Sequence, residues 1–315
     1  MAILIKKSIF FERIIPEGFG VDDAVTATKL RLALEDAMER KDLAKAAEAA
    51  EKYREMFDTV MDTVHENKSK LVLKEQPQFD WAWAKESFMS PCWLWEKLMI
   101  HACESNIQLE LGMARASEQR WKESNHHFHN AGRHMVTIVS TILPKWTWKE
   151  NQAVSVCLPE YWKSKINLVQ GMKDVCTLQY ATSGEGISNK NAIKLLKRAE
   201  SHANLSLLTW GEERNSELMN WVRIARAFYM AQTYADKEEF GKAIGMMNTW
   251  GPSLKELEKN TLGNSMSALM GQLRTIYDKR HDWASTNDHI HYQKIESPEL
   301  DLCVNIGQST EMKPL

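Results

Sequence analysis

The sequence is poor in proline and glycine, with 8 and 14 in 315 residues. A chain with so few turn formers is not built from many short strands, and collagen-like or low-complexity architectures are excluded. Cysteine is scarce too. Cys92, Cys103, Cys157, Cys176 and Cys303 are odd in number and contain no C-x-x-C pair. That argues against a disulfide framework or a zinc ribbon and for free thiols in a reducing compartment. No apolar run approaches the ~18 residues of a membrane span. The opening segment, Met1 to Lys7, is too short in apolar length to read as a signal peptide. Ala2 at the second position excludes myristoylation, and the end from Glu311 to Leu315 offers no cysteine for prenylation. Neither sign of charge dominates: 40 basic and 42 acidic side chains leave a formal net charge of -2. Such a balance gives no global pull towards nucleic acid or anionic lipid. The expectation is a cytoplasmic protein that reaches membranes only peripherally or through a partner and has no nucleic-acid partner.

What the chain does have is helix-forming pattern. Hydrophobic residues make up 43%, enough for a core, and a mean hydropathy of -0.44 is that of an ordinary soluble protein. Leu43, Ala46, Ala50, Tyr53, Phe57, Val60 and Val64 recur by threes and fours, which puts them on one helix face behind Asp42 as N-cap. Trp121, Ser124, Phe128, Ala131, Met135, Ile138 and Ile142 repeat the rhythm, with Pro144 as a stop. Further helices are expected near 21–40, 91–117, 159–181, 190–209, 215–235, 238–249 and 262–284, with breaks at Gly184 to Gly186 and at Gly251-Pro252. Residues 2–10 read as a strand, for which Leu71 to Leu73 and Phe79 to Trp81 are candidate partners. Ala225, Ala227 and Tyr229 followed by Phe240-Gly241 and Ala243-Ile244 give the small-and-aromatic spacing of tightly packed antiparallel helices in tetratricopeptide solenoids. No fixed-period repeat or linker divides the chain, so a single domain over 1–315 is expected. The fold class expected is mainly α: an elongated, curved helical solenoid with a tetratricopeptide-like core and a small N-terminal β-sheet.

Chemical motifs are few. His126, His127, His129 and His134 cluster on one helix, but no carboxylate stands in register beside them, and they read as solvated or hydrogen-bonded histidines rather than metal ligands. Cys157 and Cys176 lack any local base and read as small core residues. Gly184 and Gly186 are followed by no Gly-Lys-Ser/Thr and are not a phosphate loop. Neither catalysis nor a cofactor or metal is expected. Of the 12 tryptophans, Trp81, Trp83, Trp93 and Trp95 cluster, as do Trp146, Trp148 and Trp162. They read first as core and second as partner anchors. Lys190, Lys194, Lys197 and Arg198 form a basic helix face, either solvated or suited to an acidic helix or anionic membrane.

Several local patterns, in collinear order, resemble the Bro domain family of endosomal-sorting adaptors. The opening strand with Lys6-Lys7 resembles the family's first strand, and Phe79-x-Trp81 its Phe-x-Trp strand motif. Glu96-Lys97 matches the Phe-Glu-Lys segment, and Phe128 to Gly132 the Phe-Gln-x-Ala-Ala-Gly run. Ala225-x-Ala227-x-Tyr229 with Glu239 to Ile244 resembles the Ala-x-Ala-x-Tyr and Tyr-Gly-Glu-x-Ile pair. Asn287-Asp288-His-Ile290-His-Tyr292 ahead of Pro298 resembles the closing Asn-Asp-x-Ile-Tyr segment and is the most specific of these. The family's Leu-Phe-Asn is not kept, His101-Ala102-Cys103 standing nearby.

The resemblance implies a non-enzymatic adaptor of the endosomal sorting (ESCRT) pathway, peripheral on endosomal membranes. Its concave groove would hold the amphipathic C-terminal helix of an ESCRT-III filament subunit. Carried over, the partner-binding residues are Val169, Met172, Cys176, Thr177 and Tyr180 on one helix and Ile193, Lys194 and Lys197 on the next. Where the family presents phenylalanine, Cys176 or Thr177 stands here, and basic residues replace aliphatics on the second helix. The alternative is a generic helical-repeat scaffold for an unrelated peptide or protein.

Overall fold

Asp42 marks the first long hairpin of helices. It follows Lys41, whose φ of 57° turns the chain, and its carboxylate accepts from the Lys45 N–H at 3.1 Å, as an N-cap should. The structure is a computed structural model that describes residues 3–6, 8–83, 86–145, 155–184, 186–210, 213–257, 259, 267–301 and 312–315. Lys7, Trp146, Trp148 and Cys303, singled out in the sequence, lie outside the described residues. By internal packing the chain forms two compact units. One comprises Met1–Leu111, Asn130–Trp162 and Lys313–Leu315, and the other Gly112–His129 and Lys163–Met312.

The first unit opens with a three-stranded antiparallel sheet in the order β1 (Ile3–Ile5), β2 (Phe79–Trp83), β3 (Glu86–Ser90). Leu4 pairs with Ala82 and Trp81 with Phe88. The strand expected over 2–10 ends at Ile5. Further on, the Phe11 N–H donates to Thr28 Oγ1 (2.9 Å), and the chain turns into the short helix α1 (Phe11–Ile14). Leu71 to Leu73 is no strand either. The Leu71 N–H is taken by Asn67 O at the end of α3 (Leu43–Glu66), and the Lys74 N–H by Ile14 O. The second partner of β2 is β3, which follows it in the chain.

Alternation along β2 turns Phe79 and Trp81 inward and Asp80 outward, where it accepts from Ser87 Oγ. Phe11, Tyr53, Phe57, Phe79 and Trp93 then pack ring to ring, with centroids 5.6–6.4 Å apart. Helices α2 (Val21–Glu39), α3 and the first part of α4 (Trp93–Ser117) enclose them. A buried carboxylate joins these elements. Glu96, in the first turn of α4, accepts from Arg31 Nε (2.9 Å), Tyr53 Oη (2.6 Å) and Trp81 Nε1. Burial and then the Glu96 charge hold the Tyr53 phenol well above its ordinary pKa, so it remains a donor. The stripe from Trp121 to Ile142 is continuous, but α5 (Trp121–Thr137) gives way to a π turn (Ile138–Ile142) in which the Leu143 N–H reaches Ile138 O. Pro144, which follows, has no N–H to continue the ladder.

In the second unit α6 (Pro159–Ser183, from Lys163 on), α7 (Asn189–Thr209), α8 (Glu213–Ala235) and α9 (Phe240–Trp250) follow one another, and α7, α8 and α9 pack in succession. Ser188 caps α7 through the Asn191 N–H. Ala225, Ala227 and Tyr229 are buried between neighbours, as are Gly241, Ala243 and Ile244. The short α10 (Leu254–Leu257) leads on to the last helices. The helix expected over 262–284 is two, α11 (Ser267–Asp278) and α12 (Arg280–Thr286), interrupted at Lys279; 262–266 lie outside the described residues. The chain then reverses at Tyr292, whose φ is 51°. Asn287 fixes the reversal by accepting from the Gln293 N–H and donating to Gln293 O.

From there residues 292–301 run along α9 as a strap. The Glu296 N–H donates to Gly241 O, Gln293 Oε1 accepts from the Gly241 N–H, and Thr249 bonds Ser297. The approach is close enough to need glycine: a methyl at Gly245 would lie 2.1 Å from Glu296 O. Gly245→Ala is therefore expected to destabilise by about 1–3 kcal/mol, the usual cost of overpacking, and to speed proteolysis within 292–301. Gly271→Ala, with nothing within 4 Å, is the control. It should be neutral or slightly stabilising, because helical glycine is disfavoured against alanine by roughly 0.5–1 kcal/mol. Equal denaturation midpoints for the two variants would contradict the close approach.

Candidate partner-binding site

Two helical faces of the second unit meet around a surface hollow. On α5, Lys122, Asn125, His126 and His129 are spaced by three and four; so are Lys173, Cys176, Thr177 and Tyr180 on α6. With Trp121 they line a space of about 460 Å³. A second space of about 240 Å³ adjoins it, lined by Gln170, Asp174, Arg198 and His202 together with Asn125, Lys173 and Thr177, which border both. The site thus runs from α5 over α6 to α7.

Its chemistry is mixed. Tyr180 is 48% exposed, with Lys122 Nζ 4.8 Å from its ring centroid, a cation–π contact. Asn125 Nδ2 donates to Thr177 Oγ1 (3.2 Å), which itself donates to Lys173 O. Lys173 Nζ lies 3.3 Å from His129 Nδ1, and burial lowers the Lys173 pKa. Arg198 grips Asp174 through both Nε and Nη2. His202 is 2% exposed and borders the smaller space; its Nδ1 has no hydrogen-bond partner among the described residues, and burial holds it below the ordinary imidazole value.

The residues expected from the sequence are divided by this geometry. Thr177 and Tyr180 open into the hollow, and Cys176 forms part of its floor. Val169 and Met172 are core side chains of α6. On α7, Ile193 is half-buried while Lys194 and Lys197 are exposed; Lys197 lies 3.6 Å from Asp301. None of these three lines either space, to which α7 contributes Arg198 and His202. The basic face is accordingly broken up, Arg198 being tied to Asp174. Sequence reasoning missed Lys122, Asn125 and Lys173. A signal was available in the spacing of Lys122, His126 and His129 by fours and threes, of which sequence reasoning took up only the histidines.

His134 parts from the other histidines of its helix. It is buried in the first unit beside His101 and Glu104 of α4. Burial pushes the His134 imidazole down to about 3 and the Glu104 carboxyl up to about 7, the latter against the pull of Arg54. The thiols weighed as nucleophiles are also raised by burial, Cys157 to about 12 and Cys176 to about 11. Both are therefore protonated at neutral pH, which is poor equipment for nucleophilic work. Trp81, Trp95, Trp121 and Trp162 are core side chains.

The chain is mainly helical, with a small N-terminal sheet, and its second unit has a hollow across successive helices. No family model and no curated protein matches its sequence. Solved structures do match, and the fold they share with it is the Bro1 domain. The Bro1 domain of ALIX in complex with CHMP4C aligns with 100% of this chain and 94% of its own, at a TM-score of 0.73 and 12% identity. ALIX in complex with the SIVmac239 PYKEVTEDL late domain aligns with 99% of this chain at a TM-score of 0.72 and 13% identity. This chain spans 48% of that one, about half its length. A Bro1 domain solved for the basis of endosomal targeting gives a TM-score of 0.60 and 14% identity over 93% of this chain and 80% of its own. No described helix is long and apolar enough to cross a membrane.

Proposed function

We propose that the chain acts as one Bro-like domain, residues 1–315, and serves as a non-enzymatic adaptor of the ESCRT pathway. Its ligand is the amphipathic C-terminal helix of an ESCRT-III filament subunit, laid against α5, α6 and α7. The observation that carries this reading is the nearly end-to-end match to the ALIX Bro1 domain in its CHMP4C complex. The hollow supplies the means. Trp121, Cys176 and the Tyr180 ring offer apolar contact, while Lys122, Lys173 and His129 surround it with donors. A helix with apolar anchors at i, i+3 and i+4 and an acidic residue beside them suits such a lining. Val169 and Met172 shape α6 from behind, and Ile193, Lys194 and Lys197 extend the contact along α7. Recruitment to endosomal membranes from the cytoplasm would then follow the partner, with any contact to anionic lipid secondary.

Titration of a labelled ESCRT-III C-terminal helix should saturate below ~100 µM, in the range of specific helix-in-groove contacts. Tyr180→Ala and Lys173→Glu should each weaken binding about 10-fold or more, equivalent to ~1.4 kcal/mol. Ile193→Asp should weaken it as well. Absence of saturation with the unmodified protein defeats the proposal. The polar lining, with Cys176 or Thr177 where the resemblance implies phenylalanine, favours one second reading, a helical scaffold for a different acidic peptide. Affinity capture from cytosol separates the two by whether ESCRT-III subunits are enriched.

A further inference from the structure

The first unit contains a cluster that the adaptor reading does not use. His101 and Glu104 stand three residues apart on α4 and so project from one face, and His134 of α5 meets them. All three are at least nine-tenths buried. His101 Nδ1 lies 3.1 Å from His134 Nδ1, which lies 3.3 Å from Glu104 Oε2. One candidate ligand atom from each residue falls within 4.8 Å of the other two.

Proton counting makes this arrangement unusual. If the His134 Nδ1–H donates to Glu104, it faces the lone pair of His101 Nδ1 and cannot also bond it well. If His134 Nδ1 instead accepts from His101, its lone pair faces a carboxylate oxygen. With Glu104 ionised, no placement of the imidazole protons pairs all three facing atoms well, and buried polar atoms are costly when unserved. A cation at the centre serves all three together. The spacings agree with that. Tetrahedral zinc with bonds of about 2.0–2.2 Å to nitrogen and oxygen sets its ligand atoms ~3.3 Å apart, close to the 3.1 and 3.3 Å seen here. The third edge, from His101 to Glu104, is no longer than 4.8 Å. Arg54 Nε lies 3.1 Å from both Glu104 oxygens and donates to Oε1, the kind of outer contact that orients a carboxylate ligand.

We propose that His101, Glu104 and His134 form a binding site for a divalent transition-metal ion, zinc by preference, held by two imidazole Nδ1 atoms and one carboxylate. Two nitrogens exclude calcium and magnesium, which take oxygen sets. A fourth position is left for water. The site is deeply buried, so binding of the ion is coupled to the folding of the unit.

The full chain, purified without chelator from zinc-supplemented cells, should carry about one zinc per molecule. Removal with a chelator should lower Tm by several degrees, and added Zn2+ should restore it, because a ligand that binds only the folded state stabilises it. Co2+ should give the intense visible bands of a four-coordinate site, and Mg2+ should do nothing. His101→Gln with His134→Gln should weaken Zn2+ binding by at least ~100-fold, more than the loss of an outer-sphere contact alone. Should that double variant fail to fold, the Co2+ spectrum of the unmodified protein decides. Two outcomes overturn the proposal: unmodified protein with no metal, no Co2+ bands and a Tm indifferent to Zn2+, or a folded double variant that binds Zn2+ as tightly as the original. The second would place the ion elsewhere, as on the other histidines of α5.

Discussion

Glu96→Ala is expected to destabilise the first unit by about 3–5 kcal/mol, the cost of removing one partner from a buried charge pair. Glu96 is fully buried and Arg31 is 1% exposed, so deletion of the carboxylate removes the buried charge bonded to Arg31 Nε from a guanidinium that is out of reach of water. Tyr53 and Trp81 lose their acceptor in the same step. Glu96→Gln keeps the shape and one acceptor oxygen, and should cost less, about 1–3 kcal/mol for the groups left poorly paired. Adding Arg31→Met to Glu96→Ala should recover part of the loss, because an apolar replacement of both partners removes the orphaned charge. Hydrogen exchange resolves the effect by region: faster exchange should appear in α2, α3 and the start of α4. A loss no greater than that of the exposed Glu55→Ala would mean that the network contributes little.

Such a network is invisible in the sequence, although its members are not. Glu96 stood out as part of a helix-opening pattern, and Trp81 as part of a strand motif. Nothing in the spacing of residues 31, 53, 81 and 96 says that they converge. Helices were legible because a stripe at intervals of three and four is written locally, and the packing of neighbouring helices only confirms it. The opening strand was overextended because its end is set by its pairing with β2, which stops at Ile5 opposite Trp81, a partner 76 residues away in the chain. At the candidate site the limit is rotational. Val169, Met172 and Cys176 form one stripe of α6, and Lys173, Thr177 and Tyr180 form the next, displaced by one residue or about 100° around the axis. The resemblance names residues of both stripes; the first faces the core, and the second opens into the hollow because α5 lies beside it. The same holds for His134. Judged against its own helix it had no carboxylate in register, and its partners lie 33 and 30 residues earlier on α4.

Arg226→Ala is expected to cost about 3 kcal/mol, towards the lower end for breaking a buried pair, and its consequences should reach the C-terminal strap. Arg226 is fully buried on α8, with Nε 3.0 Å from Glu200 Oε2 of α7, itself fully buried. Its Nη2 also donates to Asp301 O at 2.6 Å. One guanidinium therefore joins two helices and the end of the strap, a role that suits the planar fork of arginine and not the single ammonium of lysine. The alanine variant keeps Arg223 near Glu200, at 3.5 Å, so the carboxylate is not wholly deserted. Glu200→Ala has no such reserve. It leaves Arg223 and Arg226 without their shared carboxylate, and should cost more, about 5 kcal/mol. The order of the two losses is the informative measurement, since it reverses if the buried carboxylate is the group left worse off. A second readout separates Arg226→Ala from Gly245→Ala. Both should expose 292–301 to protease, but only Arg226→Ala should also quicken hydrogen exchange where α7 packs on α8. An Arg226→Ala protein whose strap is cut no faster than the original would show that Asp301 is held by other contacts.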